Sequence, residues 1–209
     1  MLRTASIAGY TRRDAALVLS SRWRVEAGFL LGGVGLSFSR PTVTSIVLCM
    51  PLVVAGLALR TWARGHLERR SQLTESGPYA LMRHPLYVGT FLIGMAFALM
   101  ARVPALPPLF ALVFVGMYLP KALREEAFLR QRYGSQHLRY GARVAAFTPR
   151  WRSLHARPRP DASGRFAWRR VFHHREYETW LGVAALLGIM TAYASGYPLL
   201  DYAVSFVRA

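Results

Sequence analysis

"HPLYVGTFLIGMAFALMARVPALPPLFALVFVGMYLPKALREE", residues 84–126, holds two long apolar runs, a proline-rich break between them and charged groups at both outer ends. The run from Pro85 to Ala101 has 17 residues without Asp, Glu, Lys or Arg, and the run from Val103 to Pro120 has 18. A bilayer core of about 30 Å takes roughly 20 helical residues at about 1.5 Å each, so both runs read as membrane spans. The prolines of "ARVPALPP" (101–108) stop one helix and start the next. The stretch is therefore a helical hairpin whose charged ends, Arg83-His84 and Glu125-Glu126, return to the same membrane face.

Working outward, three more stretches lack charge: residues 27–39 (13 residues), 41–59 (19) and 179–200 (22). The first is short, and crosses only if Trp23 and Val25 join it while Arg22 and Arg24 snorkel to the headgroups. "SFSRPTVTS" at 37–45 is a short loop that forces the first two spans into an antiparallel hairpin. The fold expected is all-α, an integral membrane bundle of about five transmembrane helices. With 53% of its 209 residues hydrophobic, the chain is not a disordered one.

The formal charge is +17, which raises nucleic acid as a partner. Its placement points elsewhere. The chain up to residue 25 holds five Arg, residues 60–85 hold five and residues 121–178 hold fourteen Lys or Arg, whereas the alternate segments hold only Arg40, Arg102 and Arg208. This positive-inside asymmetry puts the N-terminus and both long loops in the cytoplasm and the C-terminus outside. It accounts for the basic character without nucleic acid. The apolar "AALVL" after Arg12 and Arg13 is too short for a signal-peptide core and no A-x-A site follows, so no cleavage is expected.

Cys49, the single cysteine, lies inside the second span and reads as packing. His66, His84, His137 and His155 are isolated in sequence. His173-His174 is a lone adjacent pair, and adjacent side chains on a helix point about 100° apart, so no metal is expected. A G-x-S-x-G elbow and Gly-rich phosphate loops are also absent. The glycines of "LLGGVGLS" at 30–37 sit inside a span, where small residues permit close helix packing, and nothing outside that span sets an oligomeric state.

Past the hairpin, Leu123, Phe128 and Leu129 mix with charges as in an amphipathic helix, so the fourth span continues beyond the membrane surface until Gly134 stops it. A short helix from Ser135 to about Arg143 follows. Residues 151–178, basic and carrying Trp151, Phe166 and Trp168, read as an interfacial linker on anionic lipid, and 179–200 as the C-terminal span.

Gly77-Pro78 makes a turn and Tyr79 presents an amphipathic ring at the interface. Pro85 suits the first turn of a helix, where its missing N–H has no intrahelical partner. His84 then stands at the helix N-terminus, among free backbone N–H groups, a place for a carboxylate or phosphate. Taken alone, Arg83 and His84 read as headgroup anchors with Tyr87 in the aromatic belt, and Glu125-Glu126 as a solvated pair serving Arg124 or Arg130. Topology adds to that. Opposite charges converge at the cytoplasmic ends of adjacent helices, which suits a cationic ligand with a carboxylate tail.

Leu73, Gly77-Pro78-Tyr79, Arg83-His84-Pro85, Tyr87 and Gly89 are followed, one hairpin later, by Glu125-Glu126, Leu129, Tyr133-Gly134, Tyr140, Arg143-Val144 and Pro149. With this series the sequence resembles the isoprenylcysteine carboxyl methyltransferase family, within the wider group of phospholipid methyltransferases. The likeness runs over residues 40–150, and "LRTWARGHL" at 59–67 is similar to the lead-in of bacterial members. The chain reads as one membrane domain over 1–209, and the resemblance implies a methyltransferase core at 40–150, with no motif matched in 1–30 or 151–209. It implies S-adenosylmethionine as cofactor, held on the cytosolic side under a cap formed by the helical segment after the fourth span. It implies a bacterial inner (plasma) membrane location with the active site in the cytoplasm. Arg83 and Glu126 are then the catalytic charged residues, and Gly77, Tyr79, His84, Tyr87, Glu125, Glu126 and Arg143 the cofactor-binding ones, Arg143 in the cap.

Methyl transfer from a sulfonium is an in-line displacement that needs alignment and exclusion of water, and no metal or covalent intermediate. A carboxylate acceptor needs no base, and Arg83 can orient it. An amine must lose a proton, which gives Glu125 or Glu126 a second role. Because adjacent side chains diverge on a helix, one of the two glutamates is expected to face the ligand. The expected activity is carboxyl O-methyltransferase-like, on a lipophilic acceptor arriving from the bilayer. The alternatives are N-methylation of phosphatidylethanolamine, an NADPH-dependent sterol-type reductase with a related arginine-histidine-proline element, and a non-catalytic membrane protein. The single hairpin between the two motifs favours the methyltransferase.

Overall fold

The computed structural model describes residues 32–33, 35–67, 73–149 and 165–196. Along them run α1 (Val43–His66), a 3-10 turn (Gly77–Ala80), α2 (Pro85–Met100), α3 (Leu106–Tyr133), α4 (Ser135–Arg143), α5 (Trp168–His173) and α6 (Glu176–Ala194). The fold is all-helical: among the described residues there is no strand, only an isolated parallel bridge between Met82 and Ala145. The chain divides into two compact units, Met1–Phe38 and Ser39–Ala209, and every element named above belongs to the second. Residues 27–31 and 34 of the short first apolar stretch lie outside the described residues, as does the linker from 150 to 164.

Local chemistry sets the helix ends. Thr42 caps α1 with extended backbone: its side chain accepts from the Ser45 N–H at 3.2 Å while Ser45 Oγ accepts from the Thr42 N–H at 3.0 Å, a reciprocal capping box. Pro85 opens α2 directly after His84, and prolines also open α3. At the far end of α3 the chain turns at Gly134, whose φ of +49° a side chain disfavours and whose N–H donates to Arg130 O at 2.9 Å.

The apolar helices face outward. α1 and α3, of 24 and 28 residues, are long and apolar enough to cross a bilayer, and only 17% and 6% of their most apolar stretches are buried in the protein. Val47, Leu48, Val54, Leu112 and Val115 stand exposed on them. So much contiguous apolar surface marks a membrane protein. The expected third and last spans correspond to α2, 16 residues, and to α6, 19 residues, which starts at Glu176 rather than 179.

Unequal helix lengths create the functional recess. At the 1.5 Å rise of an α-helix, α2 is about 24 Å long against about 36 Å for α1 and about 42 Å for α3. Near Ala101 the ends are level: the Arg40 N–H donates to Ala101 O at 2.9 Å and Ser45 Oγ to Met100 O at 3.1 Å. α1 and α2 then run in backbone contact, since a Cβ on Gly56 would lie 2.7 Å from Gly89 O and one on Gly89 2.9 Å from Gly56 O. At the opposite end α1 and α3 overshoot α2, and residues 73–84 lie in the step between them.

Two segments cover that step. α4 folds back from Gly134, and the strand-like residues after it receive the N–H groups of Arg83 and His84 on Ala145 O (2.9 Å) and Ala146 O (3.0 Å). On the other side, the described part of the expected linker packs on the end of α1: the Ala167 N–H and Arg170 Nη1 both donate to Gly65 O, at 3.0 and 3.1 Å. Trp180 Nε1 donates to Thr61 Oγ1 at 3.1 Å.

Candidate functional site

Glu126 is the centre of the charge cluster. α3 carries its carboxylate, 17% exposed, to the N-terminal end of α2. There Oε1 lies 3.0 Å from His84 Nε2, and because a carboxylate only accepts, Nε2 carries the proton. Arg83 Nε is also 3.0 Å from Oε1, but its N–H is not aimed at that oxygen, so this contact is an ion pair and not a hydrogen bond. The buried His84 ring is stacked on Tyr87 at 5.4 Å and on Phe147 at 5.3 Å between centroids. Tyr87 in turn donates its phenol to Glu125 Oε2 at 2.7 Å.

A cavity of about 740 Å³ opens beside this cluster. Of the residues singled out from the sequence, Tyr79, Arg83, His84, Glu125 and Glu126 line it. Both glutamates do: the recess is wide enough for side chains about 100° apart on a helix, with Glu126 deep and Glu125, 48% exposed, at the rim. Gly77, Tyr87 and Arg143 are not on the wall. Gly77 makes the turn, with φ +60°, and lies so near His66 that a Cβ would come within 2.5 Å of the ring. Tyr87 backs His84, and Arg143 Nη2 donates to Glu75 Oε2 at 2.9 Å, tying α4 to the chain before the turn. Among the described residues no group of three or more His, Cys, Asp or Glu is placed to hold a metal ion.

The sequence model of a known family falls on this region. Residues 57–136 match the phospholipid methyltransferase family. The likeness carried by the Gly-Pro-Tyr, Arg-His-Pro and Glu-Glu motifs is thereby borne out. The cobalt-zinc-cadmium resistance protein CzcN of Cupriavidus metallidurans is 32% identical over 135 residues, 61% of this chain and 62% of that protein. Protein-S-isoprenylcysteine O-methyltransferase A of Arabidopsis thaliana is 30% identical over 107 residues, 51% of this chain and 54% of the plant protein. The nickel-cobalt-cadmium resistance protein NccN of Alcaligenes xylosoxydans xylosoxydans is 34% identical over 93 residues, 44% and 43% of the two chains. The aligned part thus spans 43% to 62% of these relatives' own lengths. No solved structure matches the chain.

The match to the phospholipid methyltransferase family ends at 136, and several cavity residues that the sequence did not single out as such lie beyond it. His137 and Tyr140 face the cavity from α4, and His174 reaches it from the α5–α6 junction. Tyr140 donates its hydroxyl to Tyr79 O at 2.7 Å, and burial pushes that phenol far above its usual range. Burial does the same to Tyr79, with Arg64 pulling down and Glu125 up in smaller measure. The His137 imidazole is pushed below its ordinary value, by burial first; Glu126 opposes this, and Arg83, Arg130 and His84 add to it. One signal was available in the sequence: His137, Tyr140 and Val144 repeat at helical spacing, the pattern of a single buried face.

Proposed function

We propose that this protein is an S-adenosylmethionine-dependent methyltransferase, carboxyl O-methyltransferase-like, acting on a lipophilic acceptor that enters from the bilayer. The observation that carries the reading is Glu126 held by Arg83 and His84 on the wall of the 740 Å³ cavity, within the segment that matches a methyltransferase family. The volume falls in the roughly 300–1,000 Å³ range of small-molecule sites. The donor set also fits the cofactor, which carries an ammonium, a carboxylate and ribose hydroxyls: Glu125 and Glu126 accept, Arg83 pairs with an anion, and the Tyr79 hydroxyl is buried without a partner. When bound, S-adenosylmethionine supplies an electrophilic methyl group on a sulfonium.

The chain's own contribution is binding, orientation and dryness. Glu126 holds the His84 tautomer and the Arg83 guanidinium at the mouth of α2. Leu73, Phe128 and Leu129 give the cavity apolar walls, and α4, anchored by Arg143 and Tyr140, covers it. The core is then residues 40–150, with Gly77 and Tyr87 supporting residues and Arg143 a clamp of the cap. A carboxylate acceptor needs no proton removed, and the plant relative is named an O-methyltransferase. The family description favours a second reading, methylation of a phospholipid amine, in which Glu125 at the rim accepts the proton.

Calorimetric titration of the detergent-purified protein with S-adenosylhomocysteine, and separately with NADPH, tests this. Binding of the first alone is expected. Binding of NADPH alone would make the protein a reductase, and binding of neither would leave a non-catalytic membrane protein.

A further inference from the structure

His137 is 2% exposed, and neither of its ring nitrogens has a hydrogen-bond partner. Native structures keep few such groups, because a polar atom taken from water and given nothing in return is destabilising. The ring lies on the cavity wall, with Nε2 3.7 Å from Glu126 Oε2, beyond hydrogen-bond reach. Glu126 Oε1, in contrast, is engaged by His84. The helix face that carries His137 is held in place: Tyr140, one turn on, is fixed through its hydroxyl to Tyr79 O at 2.7 Å. The Tyr79 hydroxyl on the same wall is likewise buried without a partner.

We infer that His137 is a ligand-contact residue which, together with Glu126 Oε2, binds a hydrogen-bond donor of the ligand, an ammonium or a hydroxyl group. The inference rests on the cofactor reading above, since S-adenosylmethionine carries both groups. A carboxylate accepts, and an imidazole kept neutral by burial offers one acceptor nitrogen to the same donor. Beside two atoms 3.7 Å apart an ammonium donates one ordinary hydrogen bond to each, whereas a hydroxyl, with its single proton, donates to Glu126 Oε2 and accepts from the imidazole N–H of the other tautomer. His137 lies one position beyond the family-matched segment, so the match itself does not assign it.

The test uses the full chain in detergent, with His137→Phe and His137→Gln, and two readouts. One is the thermal unfolding temperature without ligand. The other is calorimetric titration with S-adenosylhomocysteine and with 5′-methylthioadenosine, which has the ribose hydroxyls but no amino-acid tail. His137→Phe keeps a ring and removes both unsatisfied nitrogens, so it is expected to unfold at or above the wild-type temperature while binding S-adenosylhomocysteine at least about tenfold more weakly. His137→Gln is expected to keep part of the affinity. A loss with both ligands assigns the hydroxyl, and a loss with S-adenosylhomocysteine alone assigns the ammonium. Unchanged affinity in His137→Phe with a lowered unfolding temperature overturns the inference and makes the histidine structural. If the wild type binds neither nucleoside, the cofactor reading fails by itself. The unfolding temperature then decides: unchanged or raised in His137→Phe, it keeps His137 as a contact for another donor-bearing ligand, and lowered, it overturns that too. His137→Leu repeats the comparison should the phenylalanine variant not fold.

Discussion

Glu125 and Glu126 are neighbours in sequence and unequal in the fold. Glu126 sits deep, between His84 and Arg83, whereas Glu125 stands at the rim with one phenol donor, Tyr87. Removing one partner of a buried hydrogen-bonded charge pair costs about 2–5 kcal/mol, because the other partner is left stranded. Glu126→Gln is therefore expected to weaken S-adenosylhomocysteine binding by at least about thirtyfold. Glu125→Gln, which still accepts from Tyr87, should change it by less than about threefold. Calorimetry on the two variants reads the difference, and equal losses would mean that both glutamates hold the ligand and that depth does not set their weight. The sequence made His84, Pro85 and both glutamates legible, because proline at a helix start and charge at the end of a span are local signals. Phe147 and His137 were not legible as site residues, since each reaches the site only after Gly134 turns the chain back.

Between elements, the contact that the sequence concealed is the one from α6 to α1. Glu176 read as one more charge in a basic linker, yet it is 1% exposed and accepts from Arg60 Nε at 2.7 Å, Arg60 Nη2 at 3.0 Å and Arg64 Nε at 3.2 Å. Arg60 also reaches Thr90 on α2 and Thr179 on α6, at 2.5 and 2.9 Å, so three helices meet on one guanidinium. This pairing joins residues 116 positions apart, and no local periodicity foretells it. Arg64 lines the cavity, which makes the last helix part of the scaffold of the site although it lies outside the family-matched segment. Glu176→Ala leaves the half-buried Arg60 and Arg64 without their carboxylate, and a loss toward the lower end of the roughly 3–5 kcal/mol seen for a broken buried pair is expected, read as a clear drop in unfolding temperature. Glu178→Ala is the control: its pair with Arg175 is exposed on both sides, so its unfolding temperature should stay close to that of the wild type. A stable Glu176→Ala protein would show that α6 does not depend on this clamp.

For the whole molecule the governing facts are the charge asymmetry and the step in helix length, and they converge on one face. Ten of the basic residues between 121 and 178 lie among the described residues, at the end where α1 and α3 overshoot α2 and the cavity opens, while Arg40 and Arg102 mark the other end. The long apolar stretches and the basic segments were legible in the sequence because each depends on composition alone. The recess was not, because it follows from how far α2 stops short of its neighbours. By the positive-inside rule the cavity is expected to face the cytoplasm, where a nucleoside cofactor is available. Single-cysteine labelling checks this. Cys49 is the only native cysteine, so Cys49→Ser gives a blank background for Ala105→Cys, in the α2–α3 loop, and Ser135→Cys, at the start of α4. In intact cells a membrane-impermeant maleimide should react with the first and spare the second until the membrane is permeabilised. The opposite pattern would place the cavity outside, away from any cytoplasmic methyl donor, and would remove the basis for a methyltransferase even if the isolated protein bound the nucleoside.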